Sequence, residues 1–568
     1  MTAKDHADRS EKQPLSLISS KAPRPPEVRG ALTFEERLRV VRHAAGKQKY
    51  RLILEAPEAE ELVRRLPSQE VYLLIKELGL EDCIELLALA TTEQMTTFFD
   101  LDLWQGERLA ARPTLQWLAM LLETGEDKVV ATALEMDFEL LTLMLRTFIT
   151  ITRGLESLTD EDALAEGRLE RIYEMDFTDS ESAKIVGYFL DILYRRERDF
   201  YLLLMEAVRN ETGSEIEDAA FAARGARLQD RGFPEPFEAL EVFAYLDPAR
   251  FSLPTQGKLP FQPGEQGVAA PGFFLARAPG RLLGEILSRG LEPDACWELT
   301  YLINKVMIAE RVDVGDVEQV SEAMGEVYRY LNIALEHLTG QDFEQALHLF
   351  DHCYLEHLFR LGLSLTLDLK KRAGKIRAAP QAFYLDAPFR ALVEALCRRR
   401  PRLYIGAVDA ARAGERPFAT LAEVKACALW LERLEAQVLL FDGRLGFALP
   451  DPRALDLDGC IPAQAEDVTL SDLFLTALAN RLLGRAFTPA AIAWSELERL
   501  WDLAREGRGV RAQLRRETLA WAESLVPRGA EFASYCLDRW AEGFCALERA
   551  ALDPRFIGGL ILRQADGR

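Results

Sequence analysis

The chain has 568 residues, too many for one ordinary core, so length alone asks for roughly three or four domains or a repeat array. Its 69 Lys and Arg against 91 Asp and Glu leave a formal net charge of −22, which argues against a nucleic-acid backbone or an anionic membrane surface as the main partner. With 49% hydrophobic and 28% charged residues, the chain carries enough apolar material to fold.

Residues 1–32 are polar and lack the apolar run of a secretory signal, so they read as a disordered tail and no export is expected. From 33 to 250 helical periodicity dominates. Val71, Leu74, Ile75 and Leu78 fall at i, i+3, i+4, i+7, as do Leu115, Leu118, Ala119 and Leu122, which places each set on one stripe of a helix. Helix starts are signed by Thr followed three residues later by Glu or Gln, at Thr33 with Glu36, Thr91 with Gln94 and Thr178 with Glu181. The tetrapeptide Glu-Met-Asp-Phe occurs at Glu135–Phe138 and again at Glu174–Phe177, with a looser copy at Phe99–Leu103. Copies 35 to 39 residues apart, each with two helices, suggest an α-solenoid-like superhelical array of helix pairs, with Asp102, Asp137 and Asp176 capping the helices that follow.

Residues 251–280 hold five Pro and five Gly and read as a linker or long loop. A middle helical segment is expected over 281–373, where Val320, Ala323, Met324, Val327, Leu331, Ala334, Leu335 and Leu338 hold one stripe through about five turns. A connection follows at 374–388, and a C-terminal helical domain at 389–568, broken by turn-rich sequence from Gly443 to Pro462. There Thr488 before Pro489 reads as a further helix start. Runs alternating at period two are nearly absent, so the fold class expected is all-α.

The run Leu62 to Glu70, then Leu74 to Gly79, Ala90 to Gln94, Asp100 to Trp104 and, near the C-terminus, Leu473 to Asn480 resembles a bacterial family known only as a domain of unknown function. That resemblance covers most of the chain and implies no activity. Residues 56–150, through the cadence of Leu86-Leu87, Met95, Phe98-Phe99 and Val129-Val130, are also similar to the helical repeats of the cytosolic N domain of MgtE-type magnesium transporters. This second resemblance implies short helices packed as a superhelix. The transporter's membrane domain has no counterpart, so transport and magnesium sites are not implied.

Chemistry-bearing patterns are sparse. His348, His352 and Glu356, at i, i+4, i+8, would form one ridge on a continuous helix and could offer two imidazoles and a carboxylate to a divalent metal. Phe343, Leu347, Phe350, Tyr354, Leu358 and Leu361 mark the core stripe of that helix, so the ridge is expected at the surface, with His357 nearer the core. Arg398, Arg399, Arg400 and Arg402 form the strongest local basic patch, suited either to an anionic partner or to the negative end of the preceding helix. There is no Walker loop, dinucleotide fingerprint, nucleophile elbow or His-Glu-x-x-His. Eight scattered cysteines without a CxxC pair fit small apolar core residues in a reducing cytoplasm. Trp104 and Trp117 are expected to pack between helices. No apolar run approaches the ~20 residues of a membrane span.

Residues 51–150 carry 19 acidic and 8 basic side chains, half of the whole excess. The function expected is therefore a cytoplasmic protein-interaction or regulatory scaffold presenting an acidic helical surface to a protein partner. No cofactor and no nucleic acid are expected. The alternative is a metal-binding protein or enzyme built on His348 and His352.

Overall fold

A computed structural model describes residues 32–153, 173–210, 213–252, 258 and 281–564. Among them are 24 α-helices and eleven strands, the longest strand only five residues, Ile149–Arg153. The all-α expectation holds. The tail at 1–32 and the linker at 251–280 lie almost wholly outside the described residues.

Two compact units divide the chain: Met1–Ala239 with Gln262–Met324, and Leu240–Phe261 with Gly325–Arg568. The segment expected at 281–373 is thus shared between them, the division falling inside the helix Val317–Thr339. The connection expected at 374–388 is mostly helical: Leu355–Ala378 runs into it, and a 3-10 turn at Pro380–Tyr384 precedes the helix Ala387–Leu396.

In the first unit, side-chain caps fix several helix starts. Thr33 and Thr91 form reciprocal capping boxes with Glu36 and Gln94. The third box is displaced by one residue. Asp179, not Thr178, caps Ser180–Arg196, its carboxylate accepting from the amides of Glu181 and Ser182 at 2.8 Å; Asp offers a stronger acceptor to the positive end of the helix. The helix Ser68–Leu78 buries Val71, Tyr72 and Ile75 against Thr92–Asp102, and Ala111–Glu123 buries Trp117 and Leu118.

The two Glu-Met-Asp-Phe copies adopt different structures. Glu135–Phe138 spans a helix junction at which Asp137 caps Phe138–Arg146 through the Leu140 amide at 3.1 Å. Glu174–Phe177 is a strand, antiparallel to Ile149–Arg153 with Ile149 opposite Phe177. Neither Asp176 nor Asp102 caps a helix: the first lies in that strand and the second ends one. Pairing with 149–153 imposes the extended form, a long-range effect that overrides the local pattern.

In the second unit, Leu355–Ala378, Leu421–Leu439, Leu470–Leu482 and Gly529–Trp540 carry the core. Gly362 is required where Leu355–Ala378 crosses the backbone of Tyr330, because a Cβ there would lie 2.0 Å from the Tyr330 carbonyl oxygen. Thr488 starts no helix. The chain instead enters the strand Ile492–Ala493, which runs parallel to Leu562–Arg563, and Cys460–Ile461 pairs antiparallel on the other side of that strand.

One motif recurs in both units among the described residues. A helix leads into a two-residue strand, a turn whose glycine has positive φ, a second two-residue strand and another helix. In the first unit Trp104 pairs with Leu109 around Gly106 (φ 65°); in the second Arg505 pairs with Val510 around Gly507 (φ 67°). Each is closed by a backbone hydrogen bond of 2.7 Å, the Ala110 amide donating to the Leu103 carbonyl and the Arg511 amide to the Ala504 carbonyl. A two-residue hairpin loop needs positive φ, which glycine supplies without a Cβ clash.

Candidate functional site: an acidic groove in the first unit

The first unit carries an open groove of about 940 Å³. Its rim is built where helix Ser68–Leu78 stops at Gly79 (φ 107°) and the chain turns into Glu81–Cys83, which leaves Glu81 and Asp82 exposed. Asp179 and Glu181 supply further carboxylates from the start of Ser180–Arg196. The amide bonds that Asp179 accepts, foremost from Ser182, hold its carboxyl below the usual range, so it is fully charged at neutral pH. Against the five lining carboxylates, Asp102 included, stand two cations, Lys76 and the exposed Arg112.

The floor comes from the helix Ala111–Glu123. Its core side is Thr114, Trp117, Leu118 and Leu121, while Leu115, Ala119 and Met120 are half-exposed and line the groove with Leu80 and Ile185. The stripe Leu115, Leu118, Ala119, Leu122 therefore straddles two environments, with only Leu118 buried. This helix is apolar on more of its circumference than its own core uses.

Asp102 organises the inner wall. Its Oδ1 accepts from the Tyr72 hydroxyl at 2.9 Å and from Lys76 Nζ at 2.9 Å, and its Oδ2 accepts from Trp117 Nε1 at 2.5 Å and from Lys76 at 3.2 Å. Burial, then the Asp102 charge, pushes the Tyr72 hydroxyl well above its usual range, so it stays protonated and donates. Gly315 packs directly on this pair: a Cβ would stand 2.8 Å from Asp102 Oδ1 and 3.2 Å from Lys76 Nζ. Lys76 is thus a positioned cation on an otherwise acidic wall, about a quarter exposed.

Asp100, two residues earlier, has a structural task. Its fully buried carboxylate takes two bonds of 2.7 Å from Arg227, whose third nitrogen reaches Asp137 at 2.7 Å, and Arg224 donates to the Asp100 carbonyl at 2.7 Å. One arginine on Gly213–Asp230 thereby joins the helices Thr92–Asp102 and Phe138–Arg146. Asp100, Asp102 and Asp137 of the sequence repeat anchor tertiary structure, Asp137 also as a cap, whereas Asp176 is exposed in its strand. Trp104 and Trp117 are core residues, Trp117 with its ring 5.8 Å from Phe98 and Phe99.

The histidine ridge is interrupted. Phe343–His352 is one helix and Leu355–Ala378 the next, with Cys353 closing the first and Tyr354 opening the second. His348 and His352 are exposed neighbours, ring centroids 4.1 Å apart, but Glu356 stands on the second helix. Among the described residues no group of three or more His, Cys, Asp or Glu is placed to hold a metal. The break also exposes Tyr354, expected in the core stripe, and leaves Phe343 and Leu347 half-buried. His357 is half-buried, packed edge-on to Tyr354 at 5.5 Å.

The basic patch is engaged within the second unit. Arg398 and Arg402 pair with Glu415 at 3.4 and 3.5 Å; Arg400 pairs with Glu326 at 3.2 Å and covers the Phe243 ring at 3.5 Å; the Arg399 carbonyl accepts from Lys370. No helix among the described residues is long and apolar enough to cross a membrane.

The family model described as a family of unknown function, DUF6178, matches residues 26–563. The chain belongs to that family. No curated protein and no solved structure matches this member.

The groove's residues were only partly visible in advance. Lys76 and Asp102 lie within the runs that carry the family resemblance, and Asp102 in the loose repeat copy. Arg112 and Asp179 carry no motif, Glu181 marks only a helix start with Thr178, and only folding brings them to one rim.

Proposed function

We propose that this DUF6178 member is a protein-interaction scaffold whose first unit receives a basic, partly apolar segment of a protein partner in the groove between Asp82, Asp102 and Glu181. The observation that carries this reading is the pairing of an apolar floor, Leu115, Ala119 and Met120, with a rim of excess negative charge. Apolar contact supplies affinity, at about 25 cal/mol per Å² buried, and the rim steers and orients a cationic segment. The −11 balance of residues 51–150 extends the same field around the groove. A stacked helix-pair array of the kind expected from the sequence repeats would suit such a role, because stacked helices present extended surfaces. Eight free cysteines, seven of them buried, favour work in a reducing cytoplasm.

The test is a photo-crosslinking residue at Gln116 in the full chain, expressed in its native cells. Covalent capture of a defined partner through a basic segment, lost in E81K/D82K, is the expected result. Capture that is indifferent to this charge reversal would refute the reading.

A further inference from the structure

The break at Cys353 and Tyr354 takes Glu356 out of the histidine ridge but leaves a tight pair behind. His348 and His352 stand one turn apart on the exposed face of Phe343–His352, with ring centroids 4.1 Å apart and the ring planes inclined by 36°. That spacing suits chelation. Two imidazole nitrogens bound at about 2.0–2.1 Å to one tetrahedral metal lie about 3.3 Å from each other, which rings on adjacent turns of one helix face can reach.

A hydrogen bond fixes which nitrogen is offered. His352 Nδ1 lies 2.8 Å from the His348 carbonyl oxygen. A carbonyl oxygen only accepts, so in the neutral ring Nδ1 carries the proton and Nε2 presents its lone pair away from the backbone. Donation of the second ring N–H to a backbone carbonyl is the arrangement that orients imidazole ligands in metal sites and raises their basicity.

Ligand type selects the metal class. Imidazole suits zinc, nickel and copper, whereas magnesium and calcium require several oxygens. Position adds to this, because the pair occupies the last turns of its helix, whose negative end favours a cation. Lys258 already uses that end, its Nζ donating to the Phe350 carbonyl at 3.3 Å. Glu344, one turn before His348, lines with it a cavity of about 480 Å³ and brings negative charge to the same side.

From this geometry we propose that His348 and His352 form a surface site for a divalent transition metal of the zinc type, held by one ring nitrogen of each, Nε2 in His352, with water in the remaining positions. Coordination ties residue 348 to residue 352 and stiffens the helix up to the break at Cys353. The site lies in the second unit and stands independently of the groove.

Zinc chloride titrated calorimetrically into full-length protein without an affinity tag is the test. One equivalent should bind. H348Q and H352Q should each weaken it at least about tenfold, whereas E356Q and H43Q should leave it within about twofold of wild type. Zinc should slow amide exchange in peptides from Phe343–His352 and in none from the first unit. Both histidines are exposed, so H348Q and H352Q should keep the melting temperature of the metal-free wild type, which verifies that they fold. Absence of stoichiometric binding, an affinity indifferent to H348Q or to H352Q, or a loss in E356Q equal to that of the histidine variants would overturn the inference.

Discussion

Arg227 should be the most consequential single charge in the first unit. The variant R227M keeps the length and most of the apolar stem but removes three bonds of 2.7 Å, two to Asp100 and one to Asp137. Asp100 is then left as a fully buried carboxylate. Removing one partner of a buried ion pair costs about 3–5 kcal/mol, and with Arg227 about a fifth exposed the lower end, about 3 kcal/mol, applies. The pH dependence is the sharper reading. Burial pushes the Asp100 carboxyl above its usual range even with Arg227 in place, and without the arginine it rises further. A group whose pKa is raised in the fold contributes stability in full below its unfolded value, and loses that contribution as pH rises through the folded value. The R227M penalty should therefore be larger at pH 8 than at pH 5. In D100N/R227M, which has no buried charge to titrate, the pH dependence should disappear and part of the loss should return. Hydrogen exchange of peptides from Thr92–Asp102 and Gly213–Asp230 at both pH values reports this unit separately. A penalty below 1 kcal/mol, or one equal at pH 5 and pH 8 in R227M, would refute the reasoning.

Substituting Gly362 by Ala should destabilise the second unit by about 2–3 kcal/mol, as overpacking against backbone, read as a fall in the denaturant midpoint; an unchanged midpoint would mean the close approach to Tyr330 is absent. T91A removes the side-chain half of a capping box, the bond that Thr91 Oγ1 accepts from the Gln94 amide, and should cost about 1 kcal/mol, seen as faster exchange in the first turn of Thr92–Asp102 and nowhere in the second unit. Thiol titration with a chromogenic disulfide at pH 8 should modify about one cysteine per native chain, the half-exposed Cys397, and all eight after denaturation. Burial pushes Cys83 and Cys545 up to about 11 and Cys427 up to about 12, so their thiolate fraction at pH 8 is negligible; rapid native labelling of several thiols would contradict that placement.

Local sequence determined what local physics controls. Thr33 and Thr91 marked helix starts because the cap bond is made within one turn, and the stripe from Val320 to Leu335 marked a buried helix face because its period is that of the helix itself. The all-α class followed from the same periodicities. Where a distant segment competed, the local signal lost. Glu174–Phe177 became a strand by pairing with 149–153, and the residues after Thr488 joined Leu562–Arg563. The run from Phe343 to Leu361 divided at Cys353 and Tyr354, which separates Glu356 from His348 and His352.

The groove belongs wholly to tertiary structure. Sequence established that residues 51–150 are acidic and that Leu115 and Ala119 sit on an apolar stripe. Folding decided that this stripe faces outward while Trp117 faces in, and that Asp179 and Glu181, far along the chain, meet Asp82 and Arg112 across it. A helix with more apolar surface than one neighbour can cover looks the same in sequence whichever side is left open. Which side stays open depends on the helices that pack against it, and for Ala111–Glu123 they leave Leu115, Ala119 and Met120 half-exposed.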